Sequence, residues 1–259
     1  MKTIRFAFKY LMHVLSARNT GGFGVHSPLI FNFIQFVIKE KNPYYVFEAI
    51  ENIRRNNLNN HRTIHVNDFG NGKSERRKIS AIAKVALKKP KQAQLLFRII
   101  RYFNCQNILE LGTSLGISTL YLASASSHER CITLEGSSEI ADVARQNFRR
   151  MGMENTLLIE CNISKQLEHV LKEYGVQDFI FIDANHRYEA LKQYFETCVA
   201  YTNKNSVVVV DDIYWSAGME RAWKEIKNHP QVTTTIDIFH MGIVFLNPVL
   251  EKKHYKLRC

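Results

Sequence analysis

The feature that most constrains this chain is an alternation that begins near residue 93. Short apolar runs take turns with amphipathic stretches. Asn107–Leu111, Cys131–Glu135, Thr156–Cys161, Phe179–Asp183 and Ser206–Asp211 are short and bounded by turn residues, the signature of strands. Helical periodicity marks Gly116–Ser124, Ser138–Met151, Ser164–Tyr174 and Tyr188–Thr202 between them. Strands joined through helices run parallel, and a run such as Val207-Val208-Val209-Val210 needs cover on both faces. The end of the chain breaks the rhythm. After a helix at Gly218–Asn228, the strands Thr233–Ile238 and Met241–Leu246 are separated only by Phe239-His240, which permits a hairpin but no parallel crossover. The expected fold class is α/β: a doubly wound, mostly parallel sheet closed by a C-terminal antiparallel hairpin.

The region before this alternation differs in pattern and charge. Residues 1–91 read as a basic helical N-terminal extension and residues 92–259 as the α/β domain. Residues 1–105 carry 19 Lys+Arg against 5 Asp+Glu, while the rest carries 16 against 19. Such asymmetry suits an anionic partner, or is simply a solvated basic face. Ile4, Phe8, Leu11, Met12 and Leu15 recur at helical spacing, predicting an amphipathic first helix. Its apolar stripe is expected to pack on the protein's own core, with a membrane surface as the alternative. Lys9 and His13 interrupt the stretch and no small-residue cleavage site follows, so it does not read as a signal peptide. His26-Ser27-Pro28 looks like a cap and start for a helix through Lys39, and a further helix is expected over Tyr44–Asn56. Residues 56–77 read as a long polar loop, followed by a helix over Arg77–Lys88.

Several function classes drop out. No apolar run reaches the roughly 20 residues of a transmembrane helix. The cysteines Cys105, Cys131, Cys161, Cys198 and Cys259 are odd in number and form no CxxC pair, which fits reduced thiols of a cytoplasmic protein. Asp68-Phe69-Gly70 matches a protein-kinase triplet, but no His-Arg-Asp loop or Gly-rich nucleotide loop accompanies it. Gly72-Lys73-Ser74 matches the end of a P-loop, but the glycine required at position 67 is Asn67.

The candidate site centres on Ile108-Leu109-Glu110-Leu111-Gly112-Thr113-Ser114-Leu115-Gly116-Ile117-Ser118-Thr119, a strand entering a glycine turn and then a helix. Gly112 allows a tight turn, and Gly116 allows a ligand or the next strand to approach the helix start. Ligands of open α/β sheets lie beyond the carboxyl ends of the strands. A dinucleotide fingerprint would need glycines where Ser114 and Ile117 stand, so a nicotinamide or flavin cofactor fits poorly. Glu135 closes the second strand, followed by Gly136, and Cys161-Asn162-Ile163 follows the third.

Glu110-x-Gly112-x-x-x-Gly116 resembles motif I of the class I S-adenosylmethionine-dependent methyltransferases, whose fold is Rossmann-like. The resemblance implies an S-adenosylmethionine site formed by Glu110, Gly112, Thr113, Ser114, Gly116, Ser118, Glu135, Gly136, Asn162, Ile163 and Asp183. The cofactor carries no phosphate to cradle. Its ammonium suits an acid such as Glu110, and its ribose hydroxyls suit Glu135. The later strand ends, Asp183-Ala184-Asn185-His186 and Asp211-Asp212, are similar to the catechol O-methyltransferase-like and sugar O-methyltransferase families, with Asp-x-x-His as in the latter. That similarity implies a divalent metal such as Mg²⁺ held by Asp183, Asp211 and Asp212, and catalysis by His186 as base with Asp183. Helix capping is the plain alternative for these residues. Trp215 and Tyr214 are candidates for the acceptor pocket and Trp223 for the core.

The implied activity is O-methylation of a small-molecule hydroxyl. One alternative is a ribose-directed RNA methyltransferase that uses the basic residues 73–91. Amino methylation of bases is disfavoured, because Asp183-Ala184-Asn185-His186 lacks the Asn/Asp-Pro-Pro-aromatic pattern. The other alternative is a non-catalytic protein that retains the cofactor fold. The acceptor and the oligomeric state are not legible in the sequence.

Overall fold

The apolar alternation becomes regular structure in the computed structural model, which describes residues 2–68, 73–125 and 130–258. Helix α1 spans Lys2–Ser16. Helix α2, Pro28–Phe33, has Pro28 in its first turn and Ser27 as its cap, Oγ accepting from the Ile30 amide at 3.5 Å. A π-helical turn, Ile34–Ile38, continues it, and α3 covers Tyr45–Leu58. Strands β1 (Thr63–Asp68) and β2 (Lys73–Lys78) pair antiparallel. Helices α4 (Ile79–Ala86) and α5 (Pro90–Phe103) precede β3 (Asn107–Leu111). Then come α6 (Ile117–Ala123), β4 (Arg130–Glu135), α7 (Ser138–Met151), β5 (Thr156–Glu160) and α8 (Ile163–Tyr174). The last elements are β6 (Gln177–Ile182), α9 (Tyr188–Val199), β7 (Thr202–Asp211), α10 (Ala217–Asn228), β8 (Thr234–Asp237), β9 (Met241–Phe245) and β10 (Lys253–Lys256).

These elements form two compact units. One comprises Lys41–Val170, the other Met1–Glu40 with Leu171–Cys259. The boundary expected at residues 91 and 92 falls inside the former. In that unit β3, β4 and β5 run parallel in this order, with Leu111 opposite Leu134 and Glu135 opposite Glu160. In the other unit β6 pairs parallel with β7, β7 antiparallel with β9, and β9 antiparallel with β8, forming the expected hairpin. Val207, Val208, Val209 and Val210 are fully buried, as a strand covered on both faces requires. Trp223 is core as expected. Its ring lies so close to Gly242 that a Cβ there would stand 2.4 Å from it.

Three expectations are corrected. The loop expected over residues 56–77 contains the β1–β2 hairpin, so the N-terminal region is not purely helical. Ile64 and Val66 pack with Ile79, Ile82, Ala83, Leu115, Ile140 and Val143, which supplies the apolar face a two-stranded ribbon needs. Residues 69–72, the heart of the kinase-like and P-loop-like segment, lie outside the described residues. A further strand, β10, pairs parallel with β8. Finally, the stripe of α1 does not pack on the core. Phe8, Leu11, Met12 and Leu15 are exposed, and α1 docks through the opposite side. There Phe6 and Tyr10 meet Phe239, Lys9 pairs with Glu220, and buried His13 bonds the Leu257 carbonyl oxygen through Nε2 at 2.9 Å. The described cysteines Cys105, Cys131, Cys161 and Cys198 form no disulfide.

Candidate functional site

The cofactor-type turn is built by strand pairing that runs one step too far. The amides of Gly112 and Thr113 both donate to the Leu134 carbonyl, at 3.0 and 3.1 Å, so β3 stays joined to β4 as the chain begins to turn. The turn then uses left-handed backbone at alternate positions: Gly112 (φ 99°), Ser114 (φ 48°) and Gly116 (φ 79°). A non-glycine residue there is uncommon and needs compensation. Ser114 receives it from Glu135, whose Oε2 accepts the Ser114 amide at 2.8 Å. The role of Gly116 differs from the expected one. A Cβ at Gly116 would lie 2.5 Å from Phe148 and 3.1 Å from Ala144, so what approaches the start of α6 is the packed face of α7.

Glu110 is fully buried at the end of β3. Its Oε2 accepts from Thr133 Oγ1 at 2.6 Å and from Thr119 Oγ1, and Thr133 Oγ1 in turn lies 2.6 Å from Thr113 Oγ1. Its Oε1 is buried with no hydrogen-bond partner among the described residues. Burial raises the Glu110 pKa to about 7. The hydroxyls of Ser118, Thr119 and Thr133 oppose that rise, and the charge of Glu135 adds to it. A buried carboxylate with one oxygen unsatisfied is costly, and a cation donating to that oxygen removes the cost. The site therefore fits the ammonium end of an amino-acid-like ligand.

Glu135 ends β4 half-buried. It bridges two turns, Oε2 to the Ser114 amide and Oε1 to the Ser137 amide at 2.9 Å, with Gly136 between Glu135 and Ser137. The Cys161 amide donates to the Glu135 carbonyl at 2.9 Å. Burial, then the charge of Glu135, pushes the Cys161 thiol up to about 11, so that thiol is no nucleophile near neutral pH. Asn162 and Ile163 are half-buried at the start of α8, where the Asn162 carbonyl accepts from Lys165 and Gln166. Glu110, Glu135 and Asn162 thus end or follow three adjacent parallel strands. The overlooked hairpin braces this edge. The His65 amide donates to Glu139 Oε2 at 2.9 Å and the Asn67 amide to Ser137 Oγ at 3.3 Å, while Ile64 and Val66 share a core with Leu115 of the turn. The signal was present in the alternation Thr63-Ile64-His65-Val66-Asn67.

The remaining predicted residues belong to the other unit. Asp183 follows β6 and lies 3.7 Å from His186 Nε2, an ion-pair distance rather than a hydrogen bond. The His186 and Trp215 rings are 6.5 Å apart, and Trp215 is exposed. Asp211 is buried at the end of β7. Asp212 takes a left-handed φ of 50°, donates its amide to the His240 carbonyl at 2.7 Å and accepts the Trp215 amide at 2.9 Å. Tyr214 is half-buried beside the exposed Trp215. Its hydroxyl donates to Asp237 Oδ2 at 2.5 Å, and burial and that carboxylate push its pKa upward. The metal set is not assembled either. Among the described residues no group of three His, Cys, Asp or Glu side chains is placed to hold a metal ion. Asp183 faces His186 instead, and Asp211 is only 1% exposed.

A family model described as a methyltransferase domain matches residues 109–213. A curated catechol O-methyltransferase of Niastella koreensis is 32% identical over 127 residues, which is 48% of this chain, and the chain spans 57% of that protein's length. An O-methyltransferase of Bacillus cereus, solved in complex with SAH, superposes with a TM-score of 0.58 at 23% identity, covering 82% of this chain and 96% of its own. An SAH-bound methyltransferase of Podospora anserina gives 0.62 at 15% identity, covering 86% and 97%. The fold is accordingly the expected Rossmann-like one, mixed α/β with a central, mostly parallel sheet. The curated relative is named for a small molecule, so the nucleic-acid alternative for residues 73–91 gains no support.

Proposed function

We propose that this chain, whose residues 109–213 carry a class I methyltransferase domain, is an S-adenosylmethionine-dependent O-methyltransferase of small-molecule hydroxyls. The observation that carries the reading is Glu110, a buried carboxylate with one unpartnered oxygen below the glycine turn. The similarity to a catechol O-methyltransferase supports oxygen as the acceptor atom and a phenol-like acceptor.

The bound cofactor supplies a methyl group already activated on a sulfonium. The chain therefore has two tasks: to hold both reactants in line, and to take the proton from the acceptor. Glu110 would hold the cofactor's ammonium through its buried Oε1. Glu135, fixed by the Ser114 and Ser137 amides, would hold the ribose hydroxyls. Gly112, Thr113, Ser114, Ser118, Gly136, Asn162 and Ile163 would form the surrounding wall, while Gly116 packs against α7. His186 is the base. With Asp183 next to Nε2, the proton of the acceptor hydroxyl goes to Nδ1, and Asp183 steadies the imidazolium that forms. Asp211 and Asp212 hold the segment that carries Trp215, which lines the acceptor side.

Two measurements test the reading. S-adenosylmethionine should raise the melting temperature, because a ligand that binds only the folded state stabilises it. Methyl transfer should then appear in a screen of catechol and other phenols. Absence of the thermal shift sinks the cofactor assignment. A shift without transfer to any hydroxyl compound sinks the acceptor assignment alone.

A further inference from the structure

α1 presents two faces of opposite character. Phe6, Lys9, His13 and Ala17 lie along the docked side: Phe6 against Phe239, Lys9 on Glu220, His13 on the Leu257 carbonyl, and Ala17 buried. Phe8, Leu11, Met12 and Leu15 lie on the other side at spacings of three and four, and are 62%, 54%, 48% and 65% exposed. Isolated exposed apolar residues need no explanation, but four in one helical stripe do. The same unit also leaves Phe23 at 78% and Phe36 at 64% exposure. The stripe is not placed there by default, since the helix has a docked side that already secures it.

Charge indicates what covers the stripe. Before Glu40 the sequence has Lys2, Arg5, Lys9, Arg18 and Lys39 and no acidic residue. A second copy of the chain laid stripe to stripe would bring two such cationic segments together, which opposes association. An anionic lipid surface satisfies both features. Phe8, Leu11, Met12 and Leu15 enter the acyl boundary while the exposed Arg18 and Lys39 meet the headgroups, Lys9 being held on the docked side by Glu220. Among the described residues no helix is long and apolar enough to cross a membrane, so the contact lies along the surface. We propose that the exposed stripe Phe8, Leu11, Met12 and Leu15 of α1, in its basic N-terminal segment, docks the protein on anionic membrane surfaces.

The test is co-sedimentation of the full chain with vesicles. Vesicles of mixed phosphatidylglycerol and phosphatidylcholine should carry the protein down, vesicles of phosphatidylcholine alone should not, and salt should weaken the binding. The double variant Leu11→Gln/Leu15→Gln should lower vesicle partitioning about tenfold or more. Arg18→Glu should lower it by a smaller factor. Both changes are on exposed side chains, and an unchanged melting curve confirms that the variants fold. Failure to sediment with the anionic vesicles overturns the proposal, as does equal binding to both vesicle types. A dimer seen by light scattering that Leu11→Gln/Leu15→Gln converts to monomer also overturns it, since the stripe is then an interface between copies.

Discussion

At the ends of β3 and β4 the expected carboxylates are tied into their surroundings by hydrogen bonds. Glu135 accepts two turn amides, Glu110 accepts two threonine hydroxyls, and the β1–β2 hairpin bonds to the same edge. At the ends of β6 and β7 the expected residues are Asp183, His186, Asp211 and Asp212. Asp183 and His186 are 3.7 Å from one another, and Asp183, Asp211 and Asp212 are not part of any three-donor metal group among the described residues. The difference follows from what each region handles. A cofactor that is always the same molecule suits a preorganised cradle. On the proposed function the β6–β7 ends serve the acceptor, which has to enter there and lose a proton. Substitutions in the two regions should therefore differ in kind: those on β6–β7 should alter turnover, and those on β3–β5 should alter cofactor affinity or stability.

The largest expected effect is on turnover. His186→Ala should lower kcat about 100-fold or more, the lower range for loss of a general base, and leave cofactor affinity unchanged. Calorimetry with S-adenosylmethionine beside steady-state rates checks both halves of that statement. Equal loss of affinity and turnover would erase the proposed distinction between the two regions. Next in size is Glu110→Gln, which keeps the shape and the threonine bonds but removes the charge. Cofactor affinity should fall roughly 30- to 100-fold, the scale of a charged hydrogen bond in a buried site. The change in kcat at saturating cofactor should be small by comparison.

Gly116→Ala probes the scaffold rather than either ligand. The added methyl meets Phe148 at 2.5 Å, on a residue whose φ is 79°. Overpacking and left-handed strain together should cost about 2–4 kcal/mol, read as a drop in Tm of several degrees. Gly116→Ala/Phe148→Leu should recover part of that loss, since it relieves the clash but not the strained φ. A single variant as stable as the parent would show that Phe148 yields freely and that the turn is less rigid than its hydrogen bonds imply.

The same contrast explains what could be read in the sequence. β3 and α7 occur with the expected bounds, Asn107–Leu111 and Ser138–Met151, because a buried strand and a strongly amphipathic helix carry full apolar patterns. The hairpin is marked on one strand only: Ile64 and Val66 alternate in β1, but Lys73–Lys78 has no apolar residue to reveal its partner. β10 was hidden for a related reason: of Lys253–Lys256 only Tyr255 is buried. In α1 the stripe was visible but its direction was not. Periodicity shows that a helix has two faces, and the docked one here relies on His13, Lys9 and ring edges that hydrophobicity does not score. Spacing indicated which carboxylates end each strand, but not whether they converge.

The smallest effect to resolve is the pH dependence of cofactor binding, and it separates the regions most cleanly. Glu110 has a folded-state pKa of about 7, above its ordinary value of 4.5, because burial disfavours the charged form. A raised carboxyl pKa means the folded protein binds this proton more tightly than the unfolded chain does. That contribution to stability is fully present below about pH 4.5 and is lost as pH rises through about 7. The cofactor's ammonium prefers the ionised carboxylate, so affinity should move the opposite way, strengthening about tenfold between roughly pH 6 and 8 as the carboxyl releases its proton. Above about pH 8 the cofactor's own amino group begins to lose its charge, and the gain should level off. Titrations in buffers of different ionisation enthalpy would show proton release on binding below pH 7, and Glu110→Gln should abolish it. If the pH dependence persists in Glu110→Gln, the proton belongs to another group, and the buried carboxylate is not what holds the ammonium.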